Sequence, residues 1–253
     1  MTKKTGIIIK FLEQILGVAK LDNLSQKFIL SNDQNPFKNV ASLLNLKYQL
    51  TEDSVRNIPK DKSLLILANH PTGGADPIII MKILLEARDD IKILSHVWFK
   101  RYSIFENYSI FVNPQAKNSD DFRLNELAMI SAIEWVNSGK ALLIFPAGEV
   151  SYFDIFRFKA VEPEWKKGLL KIISQTTAQI LPIRISANNS LLYYFVSAFF
   201  RNWRFLFLAK ELLNKSHQTY KIQFKPIFNS SEIQINLSDK DIMEIMRKKV
   251  LDP

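Results

Sequence analysis

LLILANHPTGGADPIIIMKILLEA, residues 64–87, decides the fold. Leu64 to Ala68 is an apolar run of the length expected for a strand buried on both faces. It stops abruptly at a polar, glycine-containing turn, Asn69 to Asp76, after which PIIIMKILLEA has the length and composition of a buried helix. Strand, polar turn, helix is the repeating unit of an α/β sheet, and ligands commonly bind at the carboxyl ends of such strands.

The same grammar continues outward. IKILSHV at 91–97, SIFVN at 109–113, ALLIF at 141–145 and ILPIRI at 180–185 are further short apolar runs. Helical periodicity separates them over Asp121 to Ser138, which Gly139 is placed to end, and over Glu164 to Thr177. Leu46, Tyr48 and Leu50 alternate with Lys47 and Gln49, the pattern of a half-exposed edge strand, and TYKIQFKPI at 219–227 reads as a late strand.

Upstream, Ile8, Phe11, Leu12, Ile15, Leu16 and Ala19 recur at helical spacing on one side of a segment that also carries Lys10, Glu13 and Gln14. Such a stripe can face a core or a membrane. Asp22 to Phe37 is mostly polar, contains SNDQNP, and reads as a linker. The expected organisation is a helical, membrane-associating prefix over residues 1–36 and a main domain over 37–253.

Lys10 and Glu13 interrupt the N-terminal apolar stretch, and no small-residue cleavage site follows, so a signal peptide is not expected. The longest uncharged apolar run, LLYYFVSAFF at 191–200, is half the roughly 20 residues that a spanning helix needs. From Leu191 to Leu208, aromatic residues mix with Arg201 and Arg204. This suits either a headgroup boundary or a core helix followed by a strand.

Lys and Arg number 34 against 25 Asp and Glu, a formal charge of +9, which favours anionic partners such as acidic lipid headgroups or an acidic carrier protein. Nucleic acid is the weakest of these, because zinc-finger spacing, aromatic RNA-binding motifs and a dense basic arm are all missing. With no cysteine, disulfides, thiolate metal sites and a cysteine nucleophile are excluded together. His96 and His217 have no metal-ligand spacing around them and read as structural, so no metal is expected.

His70 is the residue with chemical potential. A neutral imidazole can take a hydroxyl proton provided a carboxylate holds its tautomer, and Asp76 is the carboxylate within reach. Gly73 and Gly74 let the intervening loop turn tightly enough to bring the two together. Asp76 before Pro77 also suits a plain helix cap, and Asn69 suits local backbone capping.

NHPTGGAD at 69–76 resembles the His-to-Asp block of the glycerophospholipid acyltransferases, and FPAGEVS at 145–151 resembles their second signature. The likeness is greatest to the branch of hemolysin-like and lyso-ornithine-lipid acyltransferases, and extends over roughly residues 37 to 250. It implies a mixed, mostly parallel sheet flanked by helices, and a peripheral enzyme at the cytoplasmic face of the inner membrane. On this resemblance His70 deprotonates the hydroxyl of a lyso-lipid, which attacks an acyl thioester on acyl carrier protein or coenzyme A. Asp76 orients the imidazole, and no cofactor is implied. Asn69, Gly148 and Glu149 are the expected substrate-binding residues, with Glu149 at the acceptor.

The sequence departs from the common family pattern in two places. His70 and Asp76 are separated by five residues rather than four, and FPEGTRS has become FPAGEVS, with Ala147 for glutamate and Val150 for arginine. The family associates that arginine with the acceptor phosphate, so the expected acceptor is a lyso-aminolipid rather than lysophosphatidic acid. A non-catalytic, hemolysin-like lipid-binding protein is the alternative from another class, and a lipid or thioester hydrolase is a third.

Overall fold

The computed structural model describes residues 14–28, 35–51, 55, 58–233 and 237–252. Ile8, Phe11 and Leu12 of the N-terminal stripe, and Ser31 to Gln34 of the polar segment, lie outside the described residues. Helix α1 (Val18–Phe28) takes in Asp22 to Phe28, which read as linker in sequence. Tertiary contacts account for the difference: Leu21 is buried, and the Asp22 carboxylate accepts hydrogen bonds from Tyr102 Oη (2.8 Å) and Arg101 Nη2 (3.1 Å). Helix α2 (Pro36–Leu43) starts with proline in its first turn, capped by Asn35, whose side chain accepts from Lys38 N.

Strand β1 (Lys47–Thr51) alternates between exposed and half-buried residues, as its sequence pattern requires of an edge. Strand β2 (Leu64–Ala68) is buried at every position. Next come α3 (Ala75–Leu84), β3 (Ile91–His96), β4 (Ser109–Val112), α4 (Ser119–Asn137) and β5 (Ala141–Ile144). A small antiparallel hairpin, β6 (Tyr152–Asp154) and β7 (Lys159–Val161), precedes α5 (Gly168–Ser174), which is shorter than its sequence periodicity suggests. The chain continues through β8 (Gln179–Ser186), α6 (Leu191–Phe199), a 3-10 turn over Arg201–Phe207, α7 (Leu208–Leu213), β9 (Thr219–Phe224), β10 (Phe228–Asn229) and α8 (Asp239–Leu251). The strand allowed for after the Leu191 helix is thus a 3-10 turn.

The main sheet has the order β1-β9-β8-β2-β5-β3-β4, with β10 added on β8. Only the β8·β9 and β10·β8 pairs are antiparallel, giving the expected mixed, mostly parallel α/β sheet. In β2 and β5, Leu64, Ile66, Ala68, Ala141 and Leu143 join the apolar cluster under α2 and α3. Leu65, Leu67, Leu142 and Ile144 join the cluster under α4, α5 and α8. Helices on both faces explain why the strands read as continuous apolar runs.

Pro182 sits in the interior of β8 without breaking it. Its carbonyl accepts from Lys225 N (2.9 Å), and its missing N–H falls where β8 changes partner from β10 at Ile180 to β9 at Ile183. At the amino ends of the strands, the buried Arg88 guanidinium donates to both Asp90 carboxylate oxygens (2.6 and 2.7 Å) and to the carbonyls of Pro59, Lys62 and Gly139. The segments entering β2 and β5 are thereby tied together.

Candidate active site

The pairing of Leu67 with Ile144 aligns β2 and β5, so the turns that follow them emerge side by side at the carboxyl end of the sheet. The two signatures meet there, with Ser151 N–H donating to the His70 carbonyl (2.9 Å).

His70 and Asp76 form the expected pair, Nδ1 to Oδ2 at 2.9 Å. Asp76 is fully buried in the first turn of α3, but it does not act as the helix cap. Its side chain turns back over the loop, where Oδ2 also accepts from Thr72 N (2.8 Å) and Gly73 N (3.0 Å), and Oδ1 accepts from Thr72 Oγ1 (2.6 Å). A carboxylate holding these N–H donors is an acceptor, so Nδ1 of His70 carries the proton and Nε2 has the lone pair. Since the Thr72 hydroxyl proton goes to Asp76, the Tyr220 hydroxyl at 2.8 Å donates to Thr72 Oγ1. Burial raises the Tyr220 phenol well above its usual range and keeps it a neutral donor.

Gly73 has φ 92°, and a Cβ there would stand 3.2 Å from Leu208 and 3.4 Å from Val150; one on Gly74 would stand 3.0 Å from Leu212. Glycine is required for the loop to lie this close to the second signature and α7. Val150, in place of the family arginine, is buried and packs under this loop.

Asn69 is buried, and its amide brackets the backbone of Ile185: Nδ2 donates to the carbonyl (2.9 Å) and Oδ1 accepts from the N–H (2.6 Å). These bonds tie the loop to β8. Gly148, at φ 64°, forms a tight turn whose N–H is taken by the Phe145 carbonyl (2.9 Å). The Glu149 carboxylate pairs with Arg204 from the 3-10 turn and more loosely with Lys166 (3.4 Å). Its negative charge is therefore already balanced.

Residues outside the two signatures complete the support. Glu162 accepts the His70 N–H (3.1 Å) and the Trp165 indole N–H (3.0 Å); burial raises its carboxyl pKa, opposed by these bonds. Asn189 Nδ2 donates to the Pro71 carbonyl (2.9 Å), while Oδ1 accepts from buried Lys215 (2.7 Å), itself paired with Glu211 (2.8 Å). Burial pushes the Lys215 pKa down. Burial pushes Glu211 up, but the donors on Lys215 and Ser190 outweigh it and leave its carboxyl below the usual range. Ser190 caps α6 by accepting from Tyr193 N (3.1 Å). The Glu-to-Lys spacing of this pair within apolar LAKELLNK was the one visible hint.

The His70 ring lies 4.4 Å, centroid to centroid, from Phe145 and lines an apolar cavity of about 330 Å³. The cavity wall includes Phe37 and Val40 from α2, Phe99 and Tyr102 after β3, and Leu169 and Ile172 from α5. His96, which also lines the cavity, donates through Nε2 to Gln115 Oε1 (3.0 Å) and accepts from Trp98 N through Nδ1 (3.0 Å). Its ring nitrogens are thus engaged locally.

An imidazole on an apolar cavity, paired with a buried carboxylate, stands where the two signatures meet. Residues 50–186 match the family model described as Acyltransferase. This chain belongs to the acyltransferase family. It is also similar to proteins named lyso-glycine lipid O-acyltransferase. The one from Bacteroides thetaiotaomicron is 26% identical over 183 residues, covering 68% of this chain and 64% of that protein. The one from Phocaeicola vulgatus is 25% identical over 181 residues, covering 68% and 62%. The chain thus matches a little under two thirds of the length of these curated relatives. Among solved structures, the 1-acyl-sn-glycerophosphate acyltransferase of Thermotoga maritima shares the fold, with a TM-score of 0.50 and 15% identity over 99% of this chain and 95% of that one.

Proposed function

We propose that this acyltransferase-family chain transfers a fatty acyl group from a thioester to the hydroxyl of a lyso-lipid, with His70 as general base. The observation that carries the reading is the 2.9 Å His70–Asp76 pair, which reserves Nε2 as the proton acceptor on a ring lining an apolar cavity. Nε2 takes the acceptor's hydroxyl proton as its oxygen adds to the thioester carbonyl. The tetrahedral intermediate then collapses, the carbon–sulfur bond breaks, and the leaving thiolate takes the proton from His70. Asp76 stabilises the transient imidazolium, and no acyl-enzyme is needed. The cavity suits the acyl chain of a donor carried by acyl carrier protein or coenzyme A.

The acceptor we infer is a lyso-aminolipid, consistent with the names of the curated relatives. Val150 offers neither the charge nor the paired donors that suit a phosphate monoester. The half-exposed Lys166, which lines the cavity, can meet the carboxylate of an amino-acid headgroup, and Glu149 holds it there from 3.4 Å. Asn69 and Gly148 contribute by shaping the loops rather than through free donors.

The enzyme works, on this reading, at the cytoplasmic face of a membrane without spanning it. No helix among the described residues is long and apolar enough to cross a bilayer, and Leu191, Phe195, Phe199, Phe200, Trp203 and Phe205 are exposed. The test is a competition assay with equal amounts of a lyso-glycine lipid and lysophosphatidic acid and one acyl donor. Preference for the aminolipid is expected, weakened in Glu149→Gln; preference for lysophosphatidic acid would overturn the acceptor assignment.

A further inference from the structure

His70 is held through its backbone as well as its ring. Its carbonyl accepts from Ser151 N–H, and its N–H donates to Glu162. These two residues immediately flank the β6–β7 hairpin, whose base is the Tyr152–Val161 pair. The two arms of one hairpin therefore grip the peptide groups on either side of the His70 Cα. The Glu162 end is itself fixed, its carboxylate by Trp165 and its carbonyl by Arg247 Nη2 (2.8 Å).

The far end of the same hairpin is bare. Phe156 is 94% exposed and Phe158 84% exposed, with Ile155 partly exposed beside them. Phe158 sits at φ 50°, a left-handed conformation that is strained for a non-glycine residue. Local stability would select glycine at this position. The hairpin rests on α6, where Phe153 packs its ring against Phe158 (5.5 Å) and Tyr194 (5.8 Å) and donates its N–H to Ser197 Oγ (3.0 Å). The same helix carries further exposed aromatics, Phe195 and Phe199, whose rings pack on each other (5.1 Å). Single apolar residues on a surface need no explanation, but several large exposed aromatics on two elements that pack together mark an interaction site.

We propose that the hairpin tip, with the outer face of α6, docks on an anionic lipid bilayer, and that docking steadies His70 through Ser151 and Glu162. This rests on the reading of His70 as the base. The occupant follows from the chemistry of the patch. Exposed Lys159 follows the tip phenylalanines, and exposed Arg157 lies between them, 3.7 Å from the Asp154 carboxylate; cationic and aromatic side chains together are the mixture that enters a headgroup region with acidic lipids. An acidic carrier protein would call for a denser cationic surface than these two residues among so many aromatics.

The experiment compares the full chain with the Phe156→Ser/Phe158→Ser variant, with and without phosphatidylcholine–phosphatidylglycerol vesicles. Three quantities are read: sedimentation with vesicles, amide hydrogen exchange over residues 69–74, and turnover of a short-chain acyl-CoA with a short-chain lyso-glycine lipid, both below micelle-forming concentration. Vesicles are expected to sediment the unaltered chain, slow exchange in the 69–74 loop and raise kcat several-fold. The variant should lose all three effects and keep its vesicle-free rate. A variant that sediments and responds like the unaltered chain would overturn the proposal. So would docking that leaves both exchange and kcat unchanged, or retention by immobilised acyl carrier protein and not by vesicles. Failure of the His70 reading is separately visible as no turnover by the unaltered chain under any condition, while sedimentation and exchange still report on docking.

Discussion

At the scale of single residues, Asp76 does more than orient an imidazole. Its carboxylate gathers donors from His70, Thr72 and Gly73, so the shape of the 69–76 loop and the tautomer of His70 depend on the same charge. His70→Ala, which removes the proposed base from a partly open position, is expected to lower the transfer rate about a hundredfold to ten-thousandfold with little change in thermal unfolding. Asp76→Asn should lower both the rate and the unfolding midpoint, because an amide must turn a donor toward one of the groups that now donate to it. Steady-state kinetics with thermal denaturation on the purified variants separates the cases. If Asp76→Asn were as stable as the unaltered chain, the loop would not depend on this charge. The pair itself was legible in sequence because both partners lie within one short turn. Tyr220 and Glu162 were not: each is a common residue in a segment without a motif until strand pairing or the hairpin brings it to the loop.

Among elements, the sheet divides its two ends between chemistry and cohesion. The carboxyl ends of β2 and β5 carry the signatures, and their amino ends are tied by Arg88. Arg88→Met should destabilise the chain by about 2–3 kcal/mol, less than a fully buried pair because Asp90 is partly open to solvent. Specific activity per folded molecule should be unchanged. Denaturant titration alongside activity checks this, and a variant that loses activity without stability would place Arg88 in the wrong role. The strands and the site-bearing turns were readable because burial on both faces leaves a plain apolar run ending in polar residues. Helix α1 was less so: the polar look of Asp22 to Phe28 comes partly from a carboxylate whose purpose is to meet Tyr102 and Arg101 across the structure.

For the whole molecule, the segment that matches the family stops at residue 186, but the supports of the site do not. Arg204 meets Glu149, Lys215 and Glu211 hold Asn189 against the Pro71 carbonyl, and β9 supplies the Tyr220 hydroxyl. A chain ended after Ser186 would contain every signature residue, yet it should be inactive, with rapid hydrogen exchange in the loop around His70. Activity in that fragment would show the later elements to be dispensable. The arrangement also sets an order in time. Thr72 and the hydroxyl that completes its hydrogen bonding are 148 residues apart, so during synthesis the signatures emerge from the ribosome long before the strand that locks them. On the proposed mechanism, a nascent chain with His70 and Asp76 already translated would still be chemically silent until its last strands arrive.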